Sequence, residues 1–421
     1  MLVNTNPSTS LRLPKKLVEE VCKFYSISEQ STAVRRGITD YFLLPPSKSE
    51  PPIDHTSLYE KLTIDERRTT TKISIRLPES LRATLKALSP SDTLSDIIAM
   101  ILATVLCHPL SSVNDTAYDK KLLRILGSKW NKKMQDAIRN IFETANHRWT
   151  VSIEPCVGAL GIHANFEVAD TEIINDDDWN KVNLYRIIQS SPQKLALTLL
   201  SLDVSEEQFN ALKKEKPALT SKADIKAAAR YLYLNICSCR HMGDTFSNKM
   251  SSTSYYRRLS AIYPLHLRLS GVTIGEKDIF KVIQKYRKES NSLFIVDPNY
   301  LEANVYQDRV IRRPESYKKK FGFDEHKRLA KLLRQIKQND GNDFIYFCRI
   351  TAPRTKGKQC HAISTPEDLL IADRNLHETI NDFYYGYGFY YVDVPLSDDI
   401  TERIITSFPF DRATAYGKEV L

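Results

Sequence analysis

The sequence has no apolar run near the roughly 20 residues that a membrane-crossing helix requires, so a membrane-spanning protein is not expected. A basic stretch followed by an apolar core, the pattern of a secretory signal, is also missing from its start, and a cytoplasmic location is the expectation. Cysteine is scarce: seven in 421 residues, scattered at no framework spacing. That suits free thiols in a reducing compartment and argues against a disulfide scaffold. Only Cys237-Ser-Cys239-Arg-His241 crowds metal-ligand residue types, and without a second pair at zinc spacing it gives no reason to expect a metal. What is present is the composition of a folded globular protein, 42% hydrophobic and 26% charged, in a chain long enough for two or three domains.

Net charge is +9, and it is unevenly spread. From Tyr231 to Ile336 there are 20 Lys and Arg against 10 Asp and Glu, whereas the first hundred residues are close to neutral. A basic central segment is the footprint of a polyanion partner and equally of a well-solvated surface. Charge alone leaves both open.

Two segments near the N-terminus repeat one pattern. The first is Ser8-Thr-Ser-Leu-Arg-Leu-Pro14, then amphipathic runs at Lys15 to Tyr25 and Ser28 to Phe42. The second is Thr71-Lys-Ile-Ser-Ile-Arg-Leu-Pro78, then Glu79 to Leu88 and Thr93 to Leu106. Each predicts a short alternating strand, a proline suited to a helix start, and two helices. Ile73, Ile75 and Leu77 share one strand face, with Lys72, Ser74 and Arg76 on the other; in the first copy Leu11 and Leu13 oppose Ser10 and Arg12. The pattern resembles the ribbon-helix-helix fold of bacterial repressors, over roughly 7–43 and 70–106. That resemblance implies an intrachain pseudo-dimer whose ribbon places Arg12, Lys72, Ser74 and Arg76 in the major groove of double-stranded DNA. A small helical interaction module is the alternative. Leu44-Pro-Pro-Ser-Lys-Ser-Glu-Pro-Pro52 reads as a stiff polar linker.

From Lys120 onward apolar strands alternate with longer helices, as in an α/β domain. Trp149-Thr-Val-Ser-Ile-Glu-Pro-Cys-Val-Gly-Ala-Leu-Gly161 reads as a strand entering a glycine turn, where a cofactor can approach the backbone. Asp176 follows at a spacing that suits an acceptor for ribose hydroxyls. In Asn291-Ser-Leu-Phe-Ile-Val-Asp-Pro-Asn-Tyr300 an apolar strand delivers Asp297, Pro298, Asn299 and Tyr300 to its carboxyl end, where ligands bind in open α/β sheets. A carboxylate and a carbonyl that each accept one N6 hydrogen localise the adenine lone pair toward a methyl donor. Tyr300 offers a flat face to a base that has left the duplex.

The order of these pieces resembles the Dam-type class of DNA adenine methylases, across about Lys120 to Phe410. Gly127-Ser-Lys129 looks like that family's Gly-x-Lys cofactor motif, and Ile153-Glu-Pro-Cys-Val-Gly-Ala-Leu-Gly161 like its Glu-Pro-Phe-x-Gly-x-Gly motif. Glu172-Ile-Ile-Asn-Asp176 followed by Val182-Asn-Leu-Tyr-Arg186 is similar to its ribose-binding region, and Tyr231-Leu-Tyr-Leu-Asn235 to the opening of its target-recognition hairpin. Val272-Thr-Ile-Gly-Glu-Lys-Asp278, Asp324-Glu-His-Lys-Arg-Leu-Ala330 and Glu402-Arg-Ile-Ile-Thr-Ser407 continue the series.

The resemblance implies S-adenosylmethionine as cofactor, held by Gly127, Lys129, Glu154, Pro155, Gly158, Gly161, Asp176 and Asp278. It implies catalysis by Asp297, the Pro298 carbonyl and Tyr300, without metal. Arg240, Arg257 and Arg258 are the candidate DNA contacts of the recognition segment, where Tyr255-Tyr-Arg-Arg258 mixes aromatic and basic residues, which suits phosphate contact and base stacking or else a solvated helix face. Arg354-Thr-Lys-Gly-Lys358 reads as a basic loop, and Tyr384 to Tyr391 as packed strand.

The sequence departs from the family at Asn299, where the signature has proline, and at Cys156, where it has phenylalanine. The expected fold is α/β: a Rossmann-like, mainly parallel seven-stranded methyltransferase sheet over 120–421, with a helical recognition subdomain at about 187–268. Two ribbon-helix-helix-like units precede it, at 1–45 and 70–106, with linkers at 46–69 and 107–119. The alternative function is a DNA-binding transcriptional regulator with an inactive methyltransferase domain. Cytosine-N4 methylation is a third reading, although that family's motif typically begins with Ser.

Overall fold

The computed structural model describes residues 8–44, 64–108, 129–215, 223–241, 243–301, 321–351 and 366–415. Gly127, the basic loop 354–358, and most of the linkers at 46–69 and 107–119 lie outside these residues, as does the side chain of Arg240. The chain forms two compact units, one of residues 1–126 with 183–270, the other of residues 127–182 with 271–421. The structure is mixed α/β, and no described helix is long and apolar enough to cross a membrane.

In the first unit, β1 (Ser8–Pro14) and β2 (Thr70–Arg76) pair antiparallel, with Ser10 opposite Ser74 and Arg12 opposite Lys72. One chain supplies both strands. Their two-residue period puts Leu11, Leu13, Ile73 and Ile75 in the core and leaves Ser8, Ser10, Arg12, Lys72, Ser74 and Arg76 exposed. Pro14 and Pro78, with φ of −55° and −57°, turn each strand into a helix, at Lys15–Tyr25 and Glu79–Leu88.

Helix Leu94–Cys107 is buried nearly all round, from Ile97 to Val105, and its start is closed by a Thr93/Asp96 capping box. Helix Gln30–Leu43 comes so close to it that a Cβ on Gly37 would sit 2.3 Å from Leu102 Cδ2. Only glycine fits there without displacing Leu102.

The helices of 183–270 complete the same core. The Tyr256 ring lies 5.5 Å from that of Phe42, and its hydroxyl is 2.9 Å from Ser80 Oγ. The Ser80 N–H donates to Asp203 Oδ1 at 3.0 Å, and the Val204 N–H to Ser80 Oγ at 3.1 Å. The repeats therefore share one apolar interior with the helical segment.

The second unit is built on an eight-stranded sheet in the order β10-β8-β9-β7-β6-β3-β4-β5. Strands β3 (Trp149–Glu154), β4 (Ala169–Asn175), β5 (Thr273–Gly275), β6 (Ser292–Val296) and β7 (Asp343–Arg349) run parallel. Strands β8 (Tyr390–Ser397), β9 (Ile400–Thr406) and the two-residue β10 (Thr414–Ala415) are antiparallel at one edge. That last strand is one more than the seven expected, and two residues give a sequence pattern nothing to detect.

Both faces of β6 are covered, so its sequence is unbroken apolar rather than alternating. Phe294 and Val296 face the helices Ile279–Tyr286, Phe323–Asp340 and Pro366–Tyr384, while Leu293 and Ile295 face Met134, Ile138 and Ile141 of helix Lys132–Thr144.

The tyrosine-rich run at 384–391 is not one strand. Tyr384 ends a helix, Gly386 and Gly388 take positive φ in a turn, and the strand starts at Tyr390. Two glycines with left-handed geometry outweigh the β-propensity of the aromatics.

Candidate active site

Parallel strands β3, β4, β5 and β6 all point the same way, so the turns that follow them gather at one sheet edge. After β3 comes the turn Glu154 to Gly161. Gly158 has φ +54°, and a Cβ there would meet nothing within 4 Å, so the backbone borders open space. Leu160, not Gly161, is the turn's second left-handed residue, at φ 60°. Gly161 serves close packing instead: a Cβ there would lie 2.9 Å from the Lys129 backbone nitrogen. Its carbonyl accepts from Gln135 Nε2 at 2.7 Å, and Gln135 also donates to the Lys129 carbonyl, so Lys129 and the glycine turn are tied together.

Asp176 follows β4 and is buried. Oδ2 accepts the Gly158 N–H at 3.1 Å, Oδ1 accepts the Asp178 N–H at 3.0 Å, and Lys181 Nζ lies 3.1 Å from both oxygens. A carboxylate offers about four lone-pair positions, and all are used. Lys181 was not singled out from the sequence, although a lysine five residues past an acid at a helix start was a readable signal. Asn175 ties the end of β4 to the turns after β3 and β5, donating to the carbonyls of Pro155 at 2.8 Å and Lys277 at 2.7 Å. Asp278, one residue on, caps helix Ile279–Tyr286 through the Phe280 N–H, 3.0 Å away. Glu154 is buried, with Oε1 3.8 Å from His163 Nδ1.

Asp297, Pro298, Asn299 and Tyr300 leave the carboxyl end of β6. Lys129, buried, forms an ion pair with Asp297 Oδ1 at 2.7 Å, donates to the Tyr300 hydroxyl, and lies 3.5 Å from Glu402 Oε2. Its ammonium also sits 4.8 Å from the Tyr300 ring centroid, and the Arg349 guanidinium 5.4 Å from the same ring. Lys129, expected among the cofactor ligands, therefore joins the glycine turn through its backbone and the Asp297 turn through its side chain. Sequence reading placed Glu402 only in a closing motif and missed Arg349; neither had a local pattern that announced a charge partner.

Burial pushes the Asp297 carboxyl up to about 6, and Lys129 limits the rise. Lys129 itself is held above its ordinary value by Asp297 and Glu402, which outweigh the cost of burying it. The Cys156 thiol is raised well above its ordinary value by burial, then by the charges of Asp297 and Asp176. Cys156, in the glycine turn, thus feels both carboxylates and is hydrogen-bonded to the Asp297 backbone.

In the first unit Arg12, Lys72, Ser74 and Arg76 share the exposed ribbon face. Arg257 is exposed and Arg258 partly buried at the end of helix Ser252–Leu259. The stacking role expected for Tyr255 and Tyr256 does not hold, because both are fully buried. At their i, i+1 positions on an amphipathic helix, with Leu259 beside them, they form its inner face. Among the described residues no group of three or more His, Cys, Asp or Glu is arranged to hold a metal.

No family model matches this chain, and no curated protein matches it.

Proposed function

We propose that the protein is a DNA adenine-N6 methyltransferase that uses S-adenosylmethionine, on a Rossmann-like methyltransferase domain. One observation carries the reading: β3 and β6 pair in parallel, so an open glycine turn with a buried carboxylate, Gly158 and Asp176, lies beside a strand-end Asp-Pro-Asn-Tyr turn. A cofactor fits the first part: Gly158 presents backbone to open space, and Asp176 is an acceptor of the kind ribose hydroxyls require. Those hydroxyls reach Asp176 by displacing Lys181, which holds the last of its acceptor positions. S-adenosylmethionine, when bound, supplies an electrophilic sulfonium methyl.

The chain's own residues do the rest. Asp297, ionised, accepts one N6 hydrogen of a flipped adenine, and the Pro298 carbonyl accepts the other. Tyr300 stacks on the base, and Lys129 holds both the Asp297 carboxylate and the Tyr300 hydroxyl in place. The assay is transfer of tritiated methyl to genomic DNA, with the product nucleoside identified by mass spectrometry. N6-methyladenine is expected; transfer to no DNA at all would overturn the reading.

Asp176→Ala is expected to weaken S-adenosylmethionine binding by about 1–3 kcal/mol in calorimetry, since the hydroxyls lose their acceptor. Unchanged affinity in a folded variant removes Asp176 from the site.

The ribbon is proposed to read the major groove of the target duplex through Arg12, Lys72, Ser74 and Arg76, with a polar face that carries no acidic residue. Because the repeats bury Phe42 and Ser80 against the helices of 183–270, the test uses the full chain. The triple replacement Arg12→Ala, Lys72→Ala, Arg76→Ala should weaken duplex binding and flatten its salt dependence by about one unit of log–log slope for each phosphate that the variant no longer neutralises. Binding and slope that match the parent would assign the ribbon to protein contacts.

The regulator alternative is favoured by one feature: both carboxylates that the reaction requires, Asp297 and Asp176, are occupied by lysines.

A further inference from the structure

Helix Phe323–Asp340 starts at Gly322, whose N–H donates to Glu325 Oε2 at 2.8 Å. That start turns His326, in the first turn, into the core, where it is 1% exposed. Both ring nitrogens have partners: Nε2 lies 3.0 Å from the Asn299 carbonyl oxygen and Nδ1 2.8 Å from the Tyr346 hydroxyl. The ring meets Phe321 edge-on at 4.8 Å, and Phe321 stacks on Phe280 at 6.1 Å. These contacts leave the imidazole one position.

The chemistry of the partners selects the tautomer. A carbonyl oxygen only accepts, so Nε2 carries the proton. In a neutral imidazole Nδ1 is then bare and accepts from the Tyr346 O–H. The oxygen held by His326 belongs to the peptide between Asn299 and Tyr300. Because that unit is planar, fixing its oxygen fixes the plane, and with it the direction in which Tyr300 leaves the backbone.

We propose that His326 is a positioning residue for the Asp297–Tyr300 turn, acting through a hydrogen bond from Nε2 to the Asn299 carbonyl, with Tyr346 selecting the tautomer that can donate it. The proposal rests on the catalytic reading of that turn. Burial lowers the imidazole to about 4, so the ring is neutral around neutral pH and the bond does not depend on pH there.

Two arms test it on the full-length protein. In protein labelled with 15N at histidine, the His326 signals, assigned by their loss in His326→Gln, should report a neutral ring with the proton on Nε2. They should stay constant between about pH 5.5 and 8. A ring that titrates in this window, or carries its proton on Nδ1, overturns the proposal.

In the second arm His326→Leu should lower kcat about ten- to a hundredfold, the cost of a misplaced reacting geometry, with KM for the cofactor within about twofold of the parent. His326→Gln, which keeps an N–H near Nε2, should recover part of that loss, and Tyr346→Phe should fall between. A leucine variant with the parent's kcat, or a glutamine variant no better than leucine, overturns the positioning role. If the leucine variant does not fold, Tyr346→Phe and His326→Gln decide the same point. If the parent methylates no DNA, the functional reading fails by itself, and the tautomer arm still decides whether His326 holds the turn.

Discussion

Replacing Asp297 with alanine is expected to reduce methyl transfer by at least about 10²–10³, the usual cost of one charged acceptor in a preorganised site. Binding of cofactor and of duplex should be largely retained, because the cofactor contacts are assigned to Gly158 and Asp176 and the duplex contacts to the ribbon. Asp297→Asn should keep no more than a trace of activity: its amide oxygen still accepts, but the negative charge that stabilises the developing positive charge on N6 is gone. Tyr300→Ala should be severe and less complete, since stacking is worth only about 1–3 kcal/mol per base. Asn299→Pro, which gives the Asp-Pro-Pro-Tyr signature of the adenine methylases that the sequence resembles, should preserve or raise the rate. These outcomes are read from single-turnover rates alongside cofactor titrations. Full activity in Asp297→Ala would move the chemistry elsewhere in the chain.

The second large effect concerns Lys129. In the parent, kcat should rise with pH through a limb near 6, because Asp297 acts only when ionised and its carboxyl is pushed up to about 6. The sign follows from the roles: the proton leaves as pH rises, and the acceptor appears. Lys129→Met removes the charge that limits this rise, so the limb should move upward. At neutral pH the variant should lose about ten- to a hundredfold in rate and recover much of it in alkaline buffer, where Asp297 ionises again. Glu402→Gln should shift the limb the other way, since the Glu402 charge raises the Asp297 value. A Lys129→Met profile with its limb still near 6 would show that the ion pair does not govern Asp297. Thermal unfolding of each variant separates these effects from loss of fold, as removing one partner of a buried pair typically costs about 3–5 kcal/mol.

Much of the first unit was legible because its signals are local. In β1 and β2 the period-two alternation and the terminal Leu-Pro fixed which side chains face the core, and both copies carried the same signal. The burial of Tyr255 and Tyr256 was not legible, because a helix of eight residues with aromatics at adjacent positions reads equally well as a stacking surface. Only the arrival of Phe42 and Ser80 at Tyr256, and of Leu199 and Tyr233 at Tyr255, decided it. Likewise Gly158 was legible as a turn glycine, while the role of Gly161 depends on the Lys129 backbone 2.9 Å away.

By itself the sequence determined the strands and helix starts, the apolar run of β6 that had to lie between two layers, and the delivery of Asp297 to Tyr300 at a strand's end. Each of these follows from periodicity, proline and turn chemistry within a few residues. The tertiary structure alone decided the charges at the site. It brought Lys129 to Asp297 across 168 residues of sequence, placed Glu402 and Arg349 around them, and set His326 on the Asn299 carbonyl. Such partners meet because the ends of parallel β6 and β7, the start of antiparallel β9 and the starts of two helices come together at one edge of the sheet, and a lysine's own neighbours in sequence carry no record of the carboxylate it will face.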